Sequence, residues 1–171
     1  MAKEWSEATD VIGTIAGGLI PNYHPELGGA RIDYVFVSEA SKKGGHEVIG
    51  RVKRVSGFLE WVLEADFMIE VAQPEWDKLE AHQRTALVDH LLERCTGVED
   101  EKTGAMKWQL REPDVQEFSS ILDRHGAWNT QLAGFVSVAK RVNLEGFTDE
   151  TEMDLNDTQE SETVSEEEQS E

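Results

Sequence analysis

The sequence predicts an α+β fold, a small mainly antiparallel or mixed sheet with helices packed on it, and three observations carry that reading. Residues 31–38 and 66–72 alternate apolar and polar side chains with the period of two that a half-buried strand imposes. Apolar residues recur at helical spacing near the N-terminus and again from Pro74 onward. At 171 residues, 39% apolar and with five Trp and six Phe, the chain suits one ordinary core.

In chain order, Trp5, Ala8, Val11, Ile12, Ile15 and Leu19 predict an N-terminal helix over 1–19, closed at Gly17 and Gly18. Pro21, Pro25 and Gly28-Gly29 predict a loop. A strand follows at Arg31–Ser38, a turn at Ser41–Gly45, and a second strand over Glu47–Val55 rich in β-branched residues. Gly57–Glu64 reads as a short helix and Asp66–Ala72 as a half-buried strand. Pro74 suits a first helical turn, and the stripe Trp76, Leu79, Leu87, Val88, Leu91, Leu92 and Cys95 runs on to a stop at Gly97. Residues 98–111 read as a hairpin turning at EDEKTG. Asp114 is placed to N-cap the next helix, with Glu117 three residues on completing a capping box. That helix would bury Val115, Phe118, Ile121 and Leu122, and a last one spans Asn129–Arg141.

The net charge is −19, and it is unevenly placed. Twelve of the 35 acidic residues and none of the 16 basic ones lie in 145–171, so residues 1–144 carry 23 acids against 16 bases, a net −7. The segment 145–171 is poor in apolar residues and self-repelling, which predicts a disordered acidic tail. Such acidity argues against direct binding of nucleic acid. No apolar run reaches the roughly 18 residues of a membrane span. No basic-then-apolar leader opens the chain, and Cys95 is the single cysteine, so a reducing cytoplasm is the expected location. Cys95 follows the apolar stripe of its helix and is expected as a buried structural thiol.

The chemistry-bearing candidate is the stretch QRTALVDHLLERC, Gln83–Cys95. A helix carrying H-E-x-x-H sets two histidines at i and i+4 on one face, within reach of one zinc, beside a glutamate that activates the metal-bound water. His90 and Arg94 fall about 40° apart on the helical wheel, at one edge of the apolar stripe. Glu93 falls about 60° from His90. His24 and His46 lie in predicted loops, His82 near a helix start and His125 before Gly126, none with ligand spacing to another histidine. No G-x-S-x-G, P-loop or G-x-G-x-x-G pattern occurs. Arg51, Lys53 and Arg54 alternate with valine as a solvated strand face.

The order of PNYHPELGGARIDYVF, VIGRVKRVSGFLEWV, DFMIEV, WDKLEAHQRTALVDH and KWQLREPDVQEFSSILDRHGAW resembles the phage metallopeptidase domain, a zincin-like family. The resemblance covers roughly residues 20–128 and implies a metallopeptidase-like domain over 20–144. It implies H-E-L-x-H where this chain has His90–Arg94, and H-D-x-E-E-F where it has Pro113–Phe118. His90 then matches the first metal ligand, Leu91 stands at the general base and Arg94 at the second ligand. Leucine accepts no proton and a guanidinium binds no zinc. Downstream, Pro113 and Gln116 replace a histidine and an acid, while Asp114 and Glu117 remain. The resemblance therefore implies a vestigial site of His90, Glu93, Arg94, Asp114 and Glu117, with no catalytic residue. No metal is expected there; His90 and Glu117 are the best candidates if zinc binds. An ion pair from Arg94 to Glu117 or Asp114 is expected in its place.

Three functions compete on this reading. The first is a catalytically inactive scaffold that binds a host protein. The second is an acidic nucleic-acid mimic that inhibits a host DNA- or RNA-handling defence protein. The third is a zinc metallopeptidase with altered ligands, His90 with Glu93 or Glu117.

Overall fold

The computed structural model describes residues 2–142, which fall into two compact units, 2–113 and 114–142. The acidic segment 145–171 lies outside the described residues.

The first unit is built on a four-stranded mixed sheet. Its strands are β1 (Trp5–Glu7), β2 (Ile32–Val37), β5 (Gly50–Arg54) and β6 (Phe67–Ala72), in the order β1-β2-β6-β5. β2 and β6 pair in parallel from Ile32↔Phe67 to Val37↔Ala72, whereas β1 and β5 pair antiparallel at the two edges. This register sets Tyr34, Phe36, Ile69, Val71 and Val52 on one face, where all are buried. Against them pack Ala16 and Leu19 of α1 (Thr14–Tyr23), and Val88, Leu91 and Leu92 of α4 (Ala81–Glu93). The spacing 88, 91, 92 is the i, i+3, i+4 pattern that keeps one helical stripe on a core. Each such side chain contributes about 1.5–3 kcal/mol by leaving water.

Several local expectations are revised. The N-terminal segment is not one helix over 1–19: Trp5–Glu7 is a strand, followed by a wide turn at Thr9–Gly13, and α1 runs through Gly17, Gly18 and Pro21 to Tyr23. The reason is tertiary. Pairing with β2 satisfies the backbone of 5–7, whose side chains all stay exposed and so carry no strand pattern. The turn at 41–45 is a small hairpin, β3 (Ser41–Lys43) with β4 (His46–Val48), closed by Gly44 and Gly45 at φ 59° and 84°. The strand foreseen over 47–55 is thus divided between β4 and β5. β6 is almost fully buried rather than half-buried, because it is central and covered on both faces; even Glu70 is buried. Glu70 is held by Lys53 Nζ at 2.6 Å and Arg51 Nε at 3.6 Å, so these bases on β5 do more than face solvent.

Between β5 and β6 the helix α2 (Phe58–Leu63) forms as expected. The helix foreseen from Pro74 to Gly97 is broken into α3 (Gln73–Trp76) and α4. The break is made by a capping box: the Glu80 side chain accepts from the Gln83 amide while the Gln83 side chain accepts from the Glu80 amide. α4 stops at Glu93, and Cys95 already belongs to β7 (Cys95–Glu99), which pairs with β8 (Met106–Leu110). Trp76 and Trp108 close the core edge to face with Phe36 and Phe67, at ring distances of 5.7 and 5.8 Å.

The second unit contains α5 (Ser119–His125) and α6 (Thr130–Arg141). Asn129 caps α6, its side chain accepting from the Leu132 amide at 2.8 Å. Asp114 does not cap α5, which begins four residues later than foreseen with Phe118 at the cap position. Glu117 explains the delay. Its carboxylate accepts from the Phe118 amide at 2.9 Å and the Trp128 indole N–H at 2.8 Å, a local alternative to the capping box. Phe118 is consequently exposed, and Val115, Ile121 and Leu122 are only half-buried.

Candidate functional site

α4 turns three surfaces toward three environments, and Arg94 follows at its C-terminal cap. Val88, Leu91 and Leu92 face the core. Asp89 and Glu93, one turn apart, face the end of α1, where His24 is only 2% exposed. His24 Nε2 lies 2.6 Å from Asp89 Oδ1, and its Nδ1 lies 3.6 Å from Glu93 Oε2. The Asp89 contact ties the C-terminal end of α1 to α4, with the Glu93 carboxylate beside the other ring nitrogen. Glu93 also accepts a hydrogen bond from Arg111, just beyond β8.

His90 occupies the face opposite the core and is exposed, farther from the apolar stripe than the wheel suggested. Arg94 is half-buried, and its Nη2 reaches both oxygens of Glu112 at 3.4 Å. Its Nε is buried with no hydrogen-bond partner among the described residues. The carboxylate that meets Arg94 is thus Glu112, a residue sequence reasoning did not consider. Glu117, the expected partner, is engaged by Phe118 and Trp128.

Leu91 is 2% exposed and lies under the edge strand β5. A Cβ built on Gly50 would fall 2.8 Å from Leu91 Cδ1 and 3.2 Å from Cδ2, so only a glycine lets the strand approach this closely. Cys95 completes the buried stripe, its Sγ 3.6 Å from the Leu91 carbonyl. Burial pushes its thiol up to about 12, and that of the Tyr34 phenol also to about 12. Cys95 is thus a buried packing thiol, as the sequence suggested.

A comparison with protein families decides what this frame is. The family model described as "Putative phage metallopeptidase" matches residues 3–140. The chain belongs to the phage metallopeptidase family. No curated protein and no solved structure matches it.

A phage metallopeptidase implies a catalytic zinc, which takes three protein ligands and an open position. At the positions the resemblance aligns with H-E-x-x-H, this chain offers one exposed imidazole, a buried isobutyl group and a guanidinium paired to Glu112. Those residues do not fit the ion. Among the described residues no three His, Cys, Asp or Glu side chains are gathered to hold a metal. His24, Asp89 and Glu93 are neighbours but not a ligand set, because the two carboxylates sit on different ring nitrogens. His90, Glu93 and Arg94 belong to the first unit, Asp114 and Glu117 to the second.

Sequence reasoning placed His24 in a loop with no role and passed over Asp89, Arg111 and Glu112. The pair Asp89 and Glu93 at i and i+4 was a visible signal of a polar flank on α4. Nothing local marks His24, which lies 65 residues from Asp89.

Proposed function

We propose that this phage metallopeptidase-family protein does not hydrolyse peptides and acts by binding a host protein in the host cytoplasm. The observation that carries the reading is the packing of Leu91 against Gly50 at the position of the general base, one turn from Arg94 at the position of the second ligand. A leucine cannot take the proton that water must lose, and a guanidinium that stays protonated cannot coordinate zinc. The ion pair of Arg94 with Glu112 puts a fixed cation where the resemblance places a metal ligand. The rest of the domain keeps its core and sheet, which leaves binding as the remaining use of the scaffold.

The test is metal analysis of the full-length protein purified without chelators, together with cleavage of labelled casein. Zinc far below one ion per chain, with no cleavage, is the expected result. Stoichiometric zinc with cleavage that phenanthroline stops would overturn the proposal and establish a peptidase with altered ligands.

A further inference from the structure

The six residues of α2 read FLEWVL, and none of them is buried. Phe58 and Trp61 are 74% and 76% exposed, their rings 6.0 Å apart, and Leu59, Val62 and Leu63 are exposed beside them. Five apolar side chains projected into water from one short helix are not what folding alone selects. A contiguous patch of this kind marks a surface that another molecule covers.

The charges around the helix say which kind of molecule. A cleft of about 450 Å³ runs beside α2, lined by Arg31, Gly57, Glu60, Trp61 and Glu64. The guanidinium of Arg31 is already held by Asp66, at 2.8 Å from Nη2 to Oδ1 and 3.2 Å from Nε to Oδ2. Glu60 reaches it only at 3.9 Å. The carboxylates of Glu60 and Glu64 therefore add negative charge in excess of what Arg31 balances, beside an exposed indole. An indole flanked by carboxylates is the chemistry that receives a lysine or arginine side chain. The whole chain is −19, which adds long-range attraction for a basic partner and repels an anionic one.

We propose that α2 is a docking ridge for a basic partner protein: an apolar face of the partner covers Phe58, Trp61 and Val62, and one of its Lys or Arg side chains seats between the Trp61 indole and the carboxylates of Glu60 and Glu64. The inference deepens the binding function proposed above and rests on it for the host origin of the partner, but not on the loss of catalysis.

The experiment uses the full-length protein and a dye-labelled synthetic amphipathic peptide of leucine and arginine, read by fluorescence anisotropy. Its counterpart with glutamate in place of arginine is the control. The Leu/Arg peptide is expected to bind. Trp61→Ala and the pair Glu60→Gln with Glu64→Gln are each expected to weaken binding at least about tenfold, the scale of an interface anchor. These variants retain the acidic segment 145–171, so attraction to that segment stays constant across the series. All three side chains are on the surface, and circular dichroism of each variant checks that the fold is kept. Equal affinity in the native chain and both variants would overturn the proposal, as would equal binding of the Leu/Glu peptide. Sedimentation of a native dimer that Trp61→Ala dissociates would assign the ridge to a second copy instead. Trp61-dependent binding to phosphatidylcholine vesicles would assign it to a lipid surface. Zinc and casein cleavage are measured on the same preparations: failed peptide binding by an inert, zinc-free protein fells only the docking ridge, whereas zinc with cleavage fells only the inactive scaffold.

Discussion

Replacing Gly50 by alanine would drive a methyl group to 2.8 Å from Leu91 Cδ1, 3.2 Å from Cδ2 and 3.5 Å from Cγ. Carbon atoms rest at about 3.5–4.0 Å, so the leucine tip must retreat by several tenths of an ångström or more. It has little room to do so, being 2% exposed within the main core cluster. Overpacking of this kind costs about 1–3 kcal/mol. Leu91→Ala alone opens a void and costs about 2–5 kcal/mol. In the double variant the new methyl enters space the leucine has vacated, so the two losses should not add. A coupling of about 1–2 kcal/mol is expected, in the range found for side chains in contact. Urea unfolding followed by tryptophan fluorescence and circular dichroism, with midpoints and slopes compared across the four proteins, measures it. Additivity within about 0.5 kcal/mol would refute the claim that Leu91 is wedged beneath β5.

Two further predictions concern charge and burial elsewhere in the first unit. Asp66 is buried, which pushes its carboxyl up, but the side-chain and backbone hydrogen bonds from Arg31 outweigh this and hold it below its ordinary value. A lowered carboxyl stabilises the fold above its ordinary range and loses that contribution as pH falls through the lowered value. Asp66→Asn should therefore cost about 1.5–3 kcal/mol at neutral pH, and the gap to the native chain should close in acid; a gap that stays constant with pH would refute it. Cys95 and Tyr34 behave with the opposite sign, because burial raises both to about 12. The unfolded chain gives up these protons first, so stability is full below about pH 9 and declines as pH climbs toward the raised values. A urea midpoint that does not fall between pH 9 and 11 would contradict this, and so would a native Cys95 that iodoacetamide alkylates as fast as in urea.

The parts of this protein legible in its sequence are those whose signal is local. β2 announces itself by alternation and α4 by the apolar spacing 88, 91, 92, because burying one face of a regular element repeats along the chain with that element's own period; β6 is legible as a short strand, but its burial on both faces is not. Positions 90, 91 and 94 offer an imidazole, an isobutyl group and a guanidinium in any fold, so the side-chain chemistry present there is read directly from the sequence. Tertiary structure decided the rest. β1 is a strand only because β2 offers it an edge. Arg94 meets Glu112 because β8 returns antiparallel to β7, carrying residues 111 and 112 back beside the end of α4. His24 reads as a loop residue until the end of α1 brings it between Asp89 and Glu93, 65 and 69 residues away. Contacts at such separations are set by which surfaces the whole core brings together, and short-range periodicity carries no record of them.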